Sequence, residues 1–109
     1  MRENIARSDA LVFATPVYWH DLSESAKIFL DRLRRCERGR DFKTFLGKKA
    51  IGIASAGGSG RGAVRALYNL EDYLSRLGFD IFDLVPVTQS SREHKLEMLQ
   101  KAGRHLARL

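Results

Sequence analysis

Lys49-Ala50-Ile51-Gly52-Ile53-Ala54-Ser55, running directly into Ala56-Gly57-Gly58-Ser59-Gly60-Arg61-Gly62, is the stretch whose reading decides the fold. Its first half is an almost wholly apolar run of strand length, the pattern of a strand covered on both faces. Its second half carries four glycines in seven residues. Apolar residues then fall at Val64, Leu67, Leu70, Leu74 and Leu77, a helical stripe that Gly78 is placed to end. A strand, a glycine-rich loop and a helix, in that order, open a parallel strand–helix crossover.

The same alternation continues on both sides. Upstream, Asp9-Ala10-Leu11-Val12-Phe13-Ala14-Thr15 is another apolar run, closed by Pro16 and read as a strand buried on both faces. A loop from Pro16 to Asp21 follows, then a stripe at Leu22, Ala26, Phe29, Leu30 and Leu33, with Asp21 or Ser23 available as the cap. Gly39 to Gly47 reads as a polar connection. Downstream, Phe79 to Val85 is a third strand, and Ser90-Ser91-Arg92-Glu93 matches a capping box opening a helix with Leu96, Leu99, Ala102, Leu106 and Leu109 on one face. The fold class is therefore α/β, a parallel sheet with flanking helices and right-handed crossovers, with no repeats and no second domain. Ligands of such sheets sit outside the carboxyl ends of the strands. The loops beginning at Pro16 and at Ala56 both leave carboxyl ends, so they should share one rim.

Bulk properties narrow the function classes. The chain has 109 residues, 44% apolar and 29% charged, which suits one globular domain and argues against disorder. Its charged beginning does not fit a signal peptide, and no apolar run approaches the roughly 20 residues that cross a bilayer. With Cys36 as the single cysteine, neither an internal disulfide nor an all-cysteine metal site can form, and a cytoplasmic location is expected. The net charge of +6 favours anionic partners. The dense run Arg32-Leu33-Arg34-Arg35-Cys36-Glu37-Arg38-Gly39-Arg40 reads as a helix end, where cations meet the negative pole of the dipole. No aromatics interleave with these arginines, so nucleic acid is not the expected partner.

The two loops carry what chemistry there is. Glycines at positions 57, 58, 60 and 62 let a flat or anionic ligand approach the backbone, and the following helix start favours negative charge. No Gly-Lys-Ser/Thr follows, so this is not a Walker loop. The other loop, Thr15-Pro16-Val17-Tyr18-Trp19-His20, sets two large aromatics on the rim, suited to walling a planar ring system. His20 has no matched nucleophile or carboxylate nearby, so no catalytic side chain and no metal ligand set is assigned.

These residues also carry a resemblance. Ser8 to Trp19, including Pro16-Val17-Tyr18, resembles the third-strand segment of the NADPH-dependent FMN reductases and related iron–sulfur flavoproteins, whose fold is flavodoxin-like. The stretch from Ser23 to Arg32, with its Lys27, Phe29 and Asp31-Arg32, resembles the helix that follows. Gly47-Lys48-Lys49 and Ala56-Gly57-Gly58-Ser59-Gly60 are similar to the family's fourth strand and its loop. The resemblance implies an FMN-dependent NAD(P)H oxidoreductase in which the flavin ring lies between two groups of residues. Pro16, Val17, Tyr18 and Trp19 would stand on one side, and Ala56, Gly57, Gly58, Ser59 and Gly60 on the other. NAD(P)H would be the electron donor and a small molecule the acceptor; Arg61 could face a flavin carbonyl or a nucleotide phosphate.

The resemblance begins at the family's third strand, so residues 1–109 are read as a partial flavodoxin-like domain lacking the first two strand–helix units, on the order of 60–70 residues. The family's phosphate loop lies there, and losing it should weaken FMN binding. Losing three charge-assisted hydrogen bonds of roughly 1.5–3 kcal/mol each would cost on the order of a thousandfold or more in affinity. The strand from Asp9 to Thr15 should then be an uncovered edge, which invites pairing with another chain. A homo-oligomer, dimer or tetramer, is expected. A non-enzymatic module that oligomerises through this edge is the alternative.

Overall fold

The computed structural model describes residues 2–109. The elements run α1 (Arg2–Arg7), β1 (Ala10–Tyr18), β2 (Asp21–Leu22), α2 (Glu24–Arg38), β3 (Lys49–Ala56), α3 (Ala63–Arg76), β4 (Asp80–Thr88) and α4 (Arg92–Ala107). The sheet order is β2-β1-β3-β4. β1 pairs with β3 and β3 with β4 in parallel, as the apolar runs predict. The short β2 is the exception: it folds back antiparallel on the end of β1, with Val17 opposite Leu22 and Tyr18 opposite Asp21.

One face of the sheet holds the core. Leu11, Phe13, Thr15 and Val17 of β1 turn toward α2 and α3 and are half-buried or buried, while Val12, Ala14, Pro16 and Tyr18 turn away and are exposed. That is the period-two alternation of a strand covered on one side. The stripes at Ala26, Leu30 and Leu33 of α2 and at Leu67, Leu70 and Leu74 of α3 meet Ala50 and Ala54 of β3 in one cluster. Helix and sheet approach closely at Gly52, where a Cβ would stand 2.9 Å from Leu84 and 3.0 Å from Leu70. Gly78, at φ +106°, follows the end of α3 as expected.

Several expectations need correction. β1 does not stop at Thr15; it continues to Tyr18, because β2 extends the pairing beyond Pro16. Pro16 is tolerated since β1 is paired to a neighbour along most of its length on only one side. β1 is not buried on both faces: Val12 is 55% exposed. The connection from Gly39 to Gly47 is not merely polar, for Phe45 is wholly buried and stacks on Phe79 with ring centroids 5.1 Å apart. Val64 points to solvent, 72% exposed, because Ala63, Ala66 and Leu67 take the inward positions at the start of α3. The capping box does not form. Ser91 rather than Ser90 occupies the cap position without a side-chain cap bond, and its hydroxyl instead accepts the Thr88 N–H at 3.0 Å. The stripe of α4 is only half-buried at Leu99, Ala102 and Leu106, and the helix buries no residue, since it packs mainly against β4.

Candidate functional site

Both loops leave carboxyl ends of neighbouring parallel strands, and the register sets them side by side: Pro16 of β1 stands opposite Ser55 of β3. From there β1 carries Val17 and Tyr18 to the turn Trp19–His20, and β3 carries Ala56 into the glycine-rich loop.

The turn is unusual backbone. Trp19 and His20 take φ of +50° and +62°, in the left-handed region that side chains disfavour. Three features hold them there. Gly62, at φ +85°, lies so close to His20 that a Cβ would meet its Cα and ring at 2.6–2.7 Å. The Asn69 amide of α3 donates to Asp21 Oδ1 at 2.9 Å, and the Leu22 N–H donates to the same oxygen at 2.7 Å. Behind the turn, the buried Thr15 hydroxyl accepts the Ser23 N–H at 3.2 Å, and Ser23 Oγ caps α2 by accepting the Ala26 N–H at 3.1 Å. Of the two capping candidates, Ser23 is the cap; Asp21 serves the turn.

Trp19 is 99% exposed and free of packing, and more than half of Tyr18, 56%, is open to solvent. In the glycine-rich loop, the Gly60 N–H donates to the Gly57 carbonyl at 3.1 Å and the Arg61 N–H to Ser59 Oγ at 3.3 Å, closing a turn. Ala56 is buried, whereas Gly57, Gly58 and Ser59 are exposed. Gly57 and Gly58 have nothing within 4 Å of where a side chain would stand. A flat ligand can therefore lie against this backbone, so the residues fit the flat group that aromatic walls and bare glycines suit.

The predicted residues divide into two groups. Val17, Tyr18 and Trp19 line a hollow with Leu22 and Glu24. Ala56 and Gly57 line another with Ser55, Val87, Thr88 and Arg92. Pro16 opens on the uncovered side of β1. The two halves adjoin through His20 and Gly62 but do not share one closed cavity. Arg61 is exposed. Sequence reading passed over Asp21 and Asn69 as a pair; nothing in a helical stripe marks a half-buried amide that reaches across 48 residues.

Titratable groups with displaced pKa values lie off this rim. At the far end of α2, burial pushes the Glu37 carboxyl up, but the Thr44 hydroxyl and the hydrogen bond and charge of Arg2 outweigh it and hold the group below its ordinary range. Between α2 and α3, the Tyr73 hydroxyl donates to Asp31 at 2.9 Å and accepts from Lys27 at 2.7 Å, which lowers the first and raises the second. Among the described residues, no group of three or more His, Cys, Asp or Glu could hold a metal ion, and no helix is long and apolar enough to cross a membrane.

Comparison with known proteins adds to this geometry. Residues 1–91 match the family model described as NADPH-dependent FMN reductase. A Bacillus subtilis (strain 168) protein, YwqN, named as an NAD(P)H-dependent FMN-containing oxidoreductase, is 37% identical over 59 residues, covering 51% of this chain and 33% of YwqN. Among solved structures, an apo NADH:FMN oxidoreductase superposes with a TM-score of 0.66 at 27% identity, over 96% of this chain and 55% of that one. The Trp repressor binding protein of Bacillus subtilis superposes with a TM-score of 0.67 at 27% identity, over 77% of this chain and 57% of that one. The chain thus matches about a third of the curated relative's length and little more than half of these two solved chains.

Proposed function

The chain belongs to the NADPH-dependent FMN reductase family, with the flavodoxin-like arrangement of strands and helices, and from that premise we propose that it is an FMN-dependent NAD(P)H oxidoreductase of the flavin reductase type. The observation that carries this reading is the rim on which the aromatic turn and the glycine-rich loop adjoin, Pro16 opposite Ser55 and His20 seated on Gly62. Pro16, Val17, Tyr18 and Trp19 would stand on one side of the flavin ring, and Ala56, Gly57, Gly58, Ser59 and Gly60 on the other. The exposed rings of Tyr18 and Trp19 offer stacking surfaces, each contributing about 0.5–1.5 kcal/mol beyond burial. FMN, when bound, supplies the hydride chemistry, with NAD(P)H as donor and a small molecule as acceptor. The residues here need only place the ring and exclude water from its face; no side-chain acid–base pair is required of them.

A homo-oligomer and a cytoplasmic location go with the reading. What supports self-association is the outer face of β1, where Val12, Ala14 and Pro16 are exposed in an otherwise apolar strand. Light scattering should give a mass above one chain.

Titrating FMN into the protein should quench the emission of Trp19, the single tryptophan, and NADH or NADPH should then bleach the flavin's visible absorbance. Tyr18→Ala should weaken binding roughly tenfold, the equivalent of one aromatic contact. A folded protein that leaves Trp19 emission unchanged at millimolar FMN would refute the reading.

A further inference from the structure

The two halves of the rim belong to different strands, yet both are referenced to a single helix. Gly62, the last residue of the glycine-rich loop, is the N-cap of α3, and the backbone and ring of His20 rest on that same glycine. Two turns further along, Asn69 holds Asp21, the register partner of Tyr18. Asp21 Oδ1 takes both the Asn69 amide and the Leu22 N–H, so one oxygen ties helix, β2 and turn together. Between these two points lie Trp19 and His20, both at positive φ. Non-glycine residues persist in that region only where their surroundings over-determine them. Here those surroundings are α3.

We propose that Asn69 and Gly62 are positioning residues that set the aromatic turn at a fixed distance from the glycine-rich loop, so that α3 fixes the width of the slot between them. The proposal rests on the flavin reading for what the slot receives, but the geometry it describes is a property of the protein alone. Neither residue touches the ring site; each acts through the turn. The Asp21–Asn69 bond holds the β2 side and the Gly62–His20 contact holds the loop side. Losing either releases the strained turn, which relaxes toward ordinary backbone and carries Tyr18 and Trp19 away from the glycines.

Trp19 makes this directly measurable, because it is the only tryptophan and reports from the turn itself. Three variants are compared with wild type: Asn69→Ala, Asn69→Ser, and Glu71→Ala as a control on an exposed position of the same helix. Far-UV circular dichroism establishes folding. In the protein without flavin, time-resolved anisotropy of Trp19 should show faster and wider local motion in the two Asn69 variants and none in the control. In the flavin arm, the Kd for FMN should rise about two- to tenfold with loss of the one hydrogen bond. The maximum quenching of Trp19 at saturation should also fall, a change that a merely structural role would not produce. If Asn69→Ala does not fold, Asn69→Ser carries the test, as it keeps a polar group at the site. A folded Asn69 variant whose Trp19 anisotropy equals that of wild type overturns the proposal, whatever FMN does. Wild-type protein that ignores FMN while the Asn69 variants loosen Trp19 overturns the flavin reading and leaves the positioning role standing.

Discussion

Replacing Glu37 with glutamine should destabilise the protein at neutral pH and progressively less in acid. The Glu37 side chain is wholly buried and accepts from Arg2 Nε at 2.7 Å. Arg2 in turn donates to Thr44 Oγ1 at 3.2 Å, so the pair fastens α1 to the segment that follows α2. Removing one member of a buried pair typically costs about 3–5 kcal/mol because the other charge is stranded. Arg2, however, keeps 22% of its side chain in solvent and can rehydrate, and glutamine preserves the volume. The expected loss is therefore about 1–3 kcal/mol, a substantial part of the roughly 5–15 kcal/mol of a typical domain. The pH dependence follows from the depressed pKa. The native state binds fewer protons at Glu37 than the unfolded state, so its contribution is complete above the ordinary glutamate value of about 4.3 and disappears as pH falls through the lower native value. Urea denaturation of wild type and Glu37→Gln, followed by circular dichroism from about pH 7 to about pH 3.5, measures the gap. It should be widest at neutral pH and narrow progressively as the pH falls below the ordinary glutamate value. A gap below about 0.5 kcal/mol at neutral pH, or one that stays constant into acid, would refute the reasoning.

Phe45→Ala should cost about 3–5 kcal/mol, since its ring is fully buried and stacked on Phe79; a urea midpoint close to wild type would contradict that packing. Gly57→Ala should leave stability within about 0.5 kcal/mol of wild type, because the added methyl meets nothing within 4 Å. The same methyl should weaken FMN at least severalfold if the ring lies on this backbone, and unchanged FMN titration in Gly57→Ala would move the ring elsewhere.

How much of this was legible follows from which signals are local. Strand runs and helical stripes are written in adjacent residues, so the parallel strands, the helices α2, α3 and α4 and the common rim could all be read, whereas the short α1 and β2 carry no such pattern. What escaped depends on distant partners. Phe45 is one of three apolar residues in an otherwise polar connection, with nothing to single it out until Phe79 is brought against it from 34 positions away. Glu37 looks like a charge in a solvated arginine run until Arg2 of α1 reaches it. The capping box has the right residues, but the Ser91 hydroxyl finds Thr88 first. At the site, Tyr18, Trp19 and the glycines were visible because aromatics and glycines are informative wherever they stand. Asp21, Asn69 and the seat of His20 on Gly62 were not, because an amide in the middle of a helix gives no sign of what it holds.

That division has a physical consequence for the rim itself. Its β1 half is preset: two residues sit in a disfavoured conformation, anchored to α3 at Gly62 and Asn69, so little freedom remains to be lost when a ligand arrives. Its β3 half is permissive: Gly57 and Gly58 stand clear of neighbours and are tied only by a single turn. A planar molecule entering between them would meet one fixed wall and one that can settle against its face. The ordering cost would then fall on the glycines, whose backbone has the most freedom to lose. A stiff aromatic wall thus selects the plane of the ligand, while the glycine backbone can adapt to its edges.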